Sequence, residues 1–161
     1  MREENGILKR EKWDLRFMEM AKLVGTWSSC CKENFQVGAV IVKDKRILTT
    51  GYNGASSGIK TCKERGECLR KKLGVEHGKD KQICYAVHAE QNAIIQAARL
   101  GVSVENAVLY CTHKPCVICA KQIINSGIKL VIYDKHFDDK FTDELMSEAG
   151  VGLVKFDEVE K

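Results

Sequence analysis

Four residues carry the chemistry of this chain: His88 and Glu90 in HAEQNAI, and Cys116 and Cys119 in PCVIC. An imidazole and two thiolates are a donor set for zinc, and cysteines separated by two residues can place both sulfurs about 2.3 Å from one tetrahedral ion. Three protein ligands leave the fourth position to water, which distinguishes a catalytic site from a closed structural one. Glu90 is then free to serve as a base. Each pair opens a segment that reads as a helix after an extended stretch. The positive end of the second helix favours Cys116 and Cys119 as thiolates. In a sheet with parallel strands, helix starts gather at the carboxyl ends of the strands, so residues far apart in sequence can converge. A CxxC beside a βαβ pattern could instead be a thioredoxin-like redox pair. That reading expects the motif after an early strand and leaves His88-Ala89-Glu90 without a role.

The elements that must hold these residues read clearly from periodicity. Trp13, Phe17, Met20, Ala21 and Val24 recur at helical steps and predict an amphipathic helix over 12–29. QVGAVIVK (36–43) and RILTTG (46–51) predict a hairpin turning at Lys43, Asp44 and Lys45. From His88 to Leu100, Ala89, Ala93, Ile94, Ala97 and Ala98 form the face of a helix ending at Gly101. Then come strand 107–111, helix Cys116 to Asn125 stopping near Gly127, strand 129–133, helix 140–149 before Gly150, and strand 151–156. This order predicts an α/β fold, a three-layer α/β/α sandwich around a five-stranded mixed sheet with right-handed crossovers.

Composition bounds the rest. A length of 161 residues suits one domain. With 44% hydrophobic and 30% charged residues and one proline, the chain should build a core and is neither disordered nor collagenous. No apolar run approaches the roughly 18 residues of a membrane span, and MREENGILKREKWD lacks the apolar stretch of a secretory signal, so a cytoplasmic protein is expected. A net charge of +4 is too mild to argue for nucleic acid but is compatible with a small anionic substrate. Eight cysteines without an export signal point to metal or catalysis rather than to disulfides. Three of them, Cys62, Cys68 and Cys84, lie in an insertion at about 52–87 that is poor in apolar residues and needs a staple to order it. Metal binding competes there with scattered buried thiols.

The spacing H-x-E followed by P-C-x-x-C is the signature of zinc nucleobase deaminases. HAEQNAI (88–94), YCTHKPCVICAKQIINSGIK (110–129), QVGAVIV (36–42) and GYNG (51–54) together resemble the deoxycytidylate deaminases of the cytidine deaminase superfamily, in the same order. The resemblance runs from about residue 12 to about 156. It implies a cytidine deaminase-like fold and hydrolytic deamination of dCMP to dUMP and ammonia, supplying dUMP for dTMP synthesis. It implies a catalytic Zn2+ on His88, Cys116 and Cys119, whose water attacks cytosine C4 with Glu90 as proton shuttle. Substrate contacts fall to Asn53 and to backbone groups beside Ala89 and Thr112. Gly51, Tyr52, Gly54 and Arg99 match positions tied to dCTP and dTTP effectors or to subunit contacts, in a homo-oligomer that is typically a hexamer.

A phage and bacterial branch of the same family carries a second, structural zinc tying the insertion to the first helix. By that resemblance Cys62, Cys68 and Cys84 would join Cys30 or Cys31, with Cys30 favoured and His77 a competing ligand. His113 lies near enough to Cys116 to line the pocket, although it and His136 can equally be ordinary polar residues. The lysines of 60–72 and 79–81 read as a solvated face, with phosphate binding the rarer use. Two rivals stand beside the mononucleotide deaminase: a deaminase of cytidine, a free base or tRNA, and a noncatalytic zinc-stabilised nucleotide-binding module. The second would have no need of Glu90.

Overall fold

The computed structural model describes residues 3–4, 7–8, 12–76, 79–80 and 82–157. Two short strands, β1 (Glu3–Glu4) and β2 (Ile7–Leu8), pair antiparallel ahead of helix α1 (Lys12–Gly25). The predicted hairpin follows as β3 (Gly38–Lys43) and β4 (Arg46–Tyr52). Its two-residue turn is left-handed at both Asp44 and Lys45 (φ 51° and 59°), the twist that matches flanking strands. The insertion contains β5 (Gly54–Ala55), the short helices α2 (Cys62–Arg65) and α3 (Leu69–Lys72), and β6 (Ala86–Val87). β5 pairs with β6, so the two ends of the insertion are clamped together.

The remainder alternates α4 (Ala89–Leu100), β7 (Val108–His113), α5 (Val117–Asn125), β8 (Leu130–Lys135), α6 (Lys140–Glu148) and β9 (Gly152–Lys155). The main sheet has five strands in the order β4-β3-β7-β8-β9. β3 is antiparallel to β4 and β7, while β7, β8 and β9 run parallel, so the sheet is mixed as expected. Alternation along each strand splits the core between two faces. Ile41, Leu109, Cys111 and Val131 meet Ala89, Ala93, Ala97, Cys119, Ala120, Ile123 and Met146 on the side of α4, α5 and α6. Val40, Val42, Tyr110 and Ile132 meet Phe17, Met18, Ala21 and Val24 of α1 on the other. The sandwich is thus three layers deep.

Three local expectations need correction. The first helix ends at Gly25, not residue 29. Its backbone there lies against β3 so closely that a Cβ on Gly38 would meet Ala21 O at 2.0 Å and Gly25 N at 2.4 Å. Beyond it, the Ser28 hydroxyl donates to Asn53 O at 2.9 Å and leads the chain away from the helix axis. The buried face of α1 is also rotated: Met18 is fully buried, whereas Met20 is partly exposed and Trp13 is exposed, stacking on Phe17 with the Arg16 guanidinium 4.7 Å from its ring. Ala98 is likewise exposed rather than part of the packed face of α4.

Candidate metal centre and active site

His88 and Cys116 each occupy the N-cap of a helix, one residue outside the position expected. β6 leads into His88, whose N–H donates to Gln91 Oε1 at 3.0 Å, closing the first turn of α4. β7 leads through Lys114 and Pro115 into Cys116, and Cys119 follows one turn along α5. The start of α4 is pinned to β4 at very short range. A Cβ on Gly51 would stand 2.2 Å from Ala89 O and 2.5 Å from Ala93 N, so only glycine permits this approach. Thr49 Oγ1 donates to Ala93 O (3.0 Å) and Asn92 Nδ2 to Tyr52 O (2.8 Å), fixing the depth of the helix on the sheet.

These supports bring three donors together. Cys116 Sγ lies 3.5 Å and Cys119 Sγ 3.3 Å from His88 Nδ1, and the sulfurs are 3.7 Å apart. A tetrahedral zinc with Zn–S of about 2.3 Å and Zn–N of about 2.05 Å would set S···S near about 3.8 Å and S···N near about 3.6 Å. The donor set therefore fits zinc within a few tenths of an ångström. Among the described residues, this is the group of three whose ligand atoms all lie within 4.8 Å of one another.

The electrostatics suit the same use. The hydrogen bond with Cys119 draws the Cys116 thiol down to about 3, with His88 acting in the same sense against desolvation. The shared hydrogen bond and burial push Cys119 up. Glu90 is buried beside them, and desolvation lifts its carboxyl to about 7 while His88 pulls it down. Cys111, fully buried, is raised first by burial and then by the Glu90 charge, so the thiol lies within the field of the carboxyl. A carboxyl balanced near neutrality next to three metal donors can both accept and return a proton at pH 7.

The other expected positions are placed less uniformly. Ala89 is the first residue of α4 and is fully buried at the centre. Thr112 is buried at the end of β7, where its hydroxyl accepts Gly38 N–H at 3.1 Å and meets His113 Nδ1 at 2.9 Å. Asn53 uses its amide to staple the loop before β3: Oδ1 accepts Val37 N–H (2.8 Å) and Nδ2 donates to Phe35 O (2.7 Å). Tyr52 is exposed and meets Trp27 edge-on at 6.3 Å. Gly54 has a packing reason of its own, since a Cβ would stand 2.9 Å from Ser29 Oγ. Arg99 is exposed in the last turn of α4, three turns and about 16 Å along the helix from His88. His136 Nδ1 rests 3.1 Å from Tyr133 Oη.

The insertion docks on the segment after α1. Lys63 Nζ donates to Ser28 O (2.6 Å), Lys63 N to Ser29 O (3.3 Å) and Ala55 N to Ser29 Oγ (3.1 Å). Thr61 and Glu64 form a capping box on α2. Five thiols lie in this region. Burial pushes Cys62 up to about 11, with Cys84, Cys31, Cys30 and Cys68 each adding to the rise, so all five share one electrostatic neighbourhood. Their sulfurs form no three-membered group at ligand spacing among the described residues. His77, the competing ligand, lies outside the described residues.

Sequence reasoning missed Lys114. Its side chain is fully buried, and Nζ meets Asp143 of α6 at 2.8 Å (Oδ1) and 2.9 Å (Oδ2), bracing the loop that carries Cys116. Lysine is seldom buried without a partner. The one sequence signal was its place two residues before Cys116.

Residues 11–135 match the profile of the cytidine and deoxycytidylate deaminase zinc-binding region. The chain belongs to the cytidine and deoxycytidylate deaminase family. It is 40% identical to a deoxycytidylate deaminase of Schizosaccharomyces pombe over 91% of this chain and 45% of that protein. It is 37% identical to ComE operon protein 2 of Bacillus subtilis over 94% of this chain and 76% of that protein. It thus spans less than half the length of the yeast relative. Among solved structures, the dCMP deaminase of cyanophage S-TIM5 in complex with dCMP and dUMP superposes with a TM-score of 0.74 and 30% identity, covering 92% of this chain and 99% of that one. The fold is therefore the one this deaminase family uses, as the sequence resemblance implied. Among the described residues no helix is long and apolar enough to cross a membrane.

Proposed function

We propose that this chain hydrolyses dCMP to dUMP and ammonia, with zinc held by His88, Cys116 and Cys119. The observation that carries the reading is the buried Glu90 carboxyl beside three donors at zinc spacing. When bound, zinc supplies a Lewis acid that lets water act as a nucleophile at neutral pH. The protein residues do the rest. Glu90 accepts a proton from the water whose oxygen bonds to cytosine C4, and delivers it to N3. It then moves the remaining hydroxyl proton to the amino nitrogen as the C4–N bond breaks, so that one water enters and one ammonia leaves. Backbone groups beside Ala89 and Thr112 orient the amino group. Asn53, while stapling its loop, retains one amide hydrogen and one lone pair for the sugar.

The reading extends to a single deaminase domain, with its cysteine insertion, acting in the cytoplasm as a homo-oligomer of the hexameric kind that the family resemblance implies. dCTP and dTTP would act near Gly51, Tyr52, Gly54 and Arg99. The insertion would hold a second zinc on Cys30, Cys62, Cys68 and Cys84, supported by the shared electrostatic neighbourhood of their thiols. The test is ammonia release and dUMP formation by the zinc-loaded protein, with cytidine, cytosine, deoxycytidine and tRNA as competing substrates. Preference for dCMP supports the reading; turnover of a free base or tRNA alone overturns it. A second reading, a zinc-stabilised nucleotide-binding module, has no need of a proton shuttle beside the three donors. Loss of function in Glu90→Gln would exclude that reading.

A further inference from the structure

A nucleotide whose base lies over Glu90 must place its phosphate away from the floor of the site. That floor is marked by Cys111, which feels the Glu90 and Cys116 charges. His113 follows Cys111 by two residues on β7, so it shares the face of the strand about 6.5 Å nearer the carboxyl edge. Its register partner on β8 is Lys135, the last residue of that strand. Lys135 is in step with Val131, which packs on the same core as Cys116 and Cys119. Both side chains therefore stand at the rim above the donors, on the side where helix starts and strand ends meet.

Four other cations are committed elsewhere. Lys114 is buried against Asp143, Lys22 pairs with Asp134 at 3.3 Å, and Lys63 and Arg70 donate to backbone carbonyls. Lys135 is exposed and makes no ion pair among the described residues. His113 is half-buried, and desolvation together with the Lys135 charge holds it down at about 4, so the ring is neutral at pH 7. The Thr112 hydroxyl accepts Gly38 N–H and can give its own proton to His113 Nδ1, leaving Nε2–H as an outward donor.

We infer that Lys135 and His113 form the subsite for the 5′-phosphate of a nucleoside monophosphate, the ammonium supplying charge and the imidazole N–H direction. This rests on the nucleotide reading proposed above. The test compares dCMP with deoxycytidine as substrates for the wild type and for Lys135→Met, His113→Ala and His113→Gln. It also compares dUMP with deoxyuridine as ligands by calorimetry. Lys135→Met is expected to lower the dCMP-to-deoxycytidine ratio of kcat/KM by about 10- to 100-fold, chiefly through KM, as for a lost charged hydrogen bond. His113→Ala should lower it about 3- to 10-fold, with Gln partly restoring it. If the wild type prefers dCMP and the ratio survives Lys135→Met, the subsite is overturned and the dCMP reading stands. Equal losses on both substrates also overturn it, since they mark a merely structural role. If the wild type turns over no dCMP yet binds dUMP more tightly than deoxyuridine, and Lys135→Met removes that difference, the subsite stands while the activity reading falls.

Discussion

Two regions of this molecule are rich in metal-binding side chains, and they are built differently. At the centre, His88 and Cys116 are the N-caps of α4 and α5, and Cys119 lies one turn further on. The sheet sets the spacing: α4 is locked to β4 through Gly51 and Thr49, and the loop before α5 is braced by Lys114. In the insertion, Cys62 and Cys68 sit on or before four-residue helices, while Cys30, Cys31 and Cys84 lie in loops. One set of donors stands at zinc distances from the fold alone, and the other is grouped without reaching them. Secondary structure packed on a sheet preorganises a site, whereas thiols on connecting segments would need an ion to draw them to ligand spacing.

The comparison can be broken most severely at the preorganised centre. Cys116→Ser should strip zinc from this site and reduce deamination to background, read by metal analysis alongside ammonia release. Retention of full metal and activity would remove Cys116 from the centre. Glu90→Gln should instead separate the two properties. It should leave the zinc content unchanged while lowering kcat by about 10²- to 10⁴-fold, the range for loss of a general acid–base group. In the insertion, Cys62→Ser combined with Cys84→Ser should cut the metal count from two per chain to one and lower the Tm by several degrees, with kcat retained within a few-fold. A wild-type count of one would mean that the insertion thiols hold no ion.

The smallest expected effect is a pH dependence that sharpens the contrast at the rim of the site. His113 has its folded pKa held near 4, below the usual histidine value of about 6.5. Between those values the unfolded chain binds the proton and the folded chain does not, so stability rises with pH from about 4 to about 6.5 and is lost on acidification. His113→Gln should flatten this part of the stability curve, measured by denaturant melts at fixed pH steps. An unchanged slope would show that His113 titrates normally.

Much of this was legible in the sequence because the site rests on local signals. H-x-E and PCxxC mark helix starts, and the alanine-rich run after His88 marks a helix that must pack closely on a sheet. The five-stranded mixed sheet also followed, since a hairpin followed by alternating helices and strands allows few arrangements, although its strand order did not. What escaped depends on contacts between distant segments. The last turn of α1 meets β3 so closely that position 38, thirteen beyond Gly25, has no room for a side chain, and no periodicity reports that. The burial of Lys114 depends on Asp143 in α6, and the stapling role of Asn53 on Phe35 and Val37. Gly51 stood out in the GYNG motif, but its tie to the first turn of α4 emerges only once the sheet is assembled.

The most direct test of the central claim is zinc K-edge X-ray absorption on protein in which Cys62, Cys68 and Cys84 are all replaced by serine, so that only one site can report. The account predicts a first shell of two sulfurs near 2.3 Å and two lighter atoms near 2.0–2.1 Å, one of them with the outer-shell signature of imidazole. A shell without sulfur, or a protein that retains activity with no zinc at all, would contradict it.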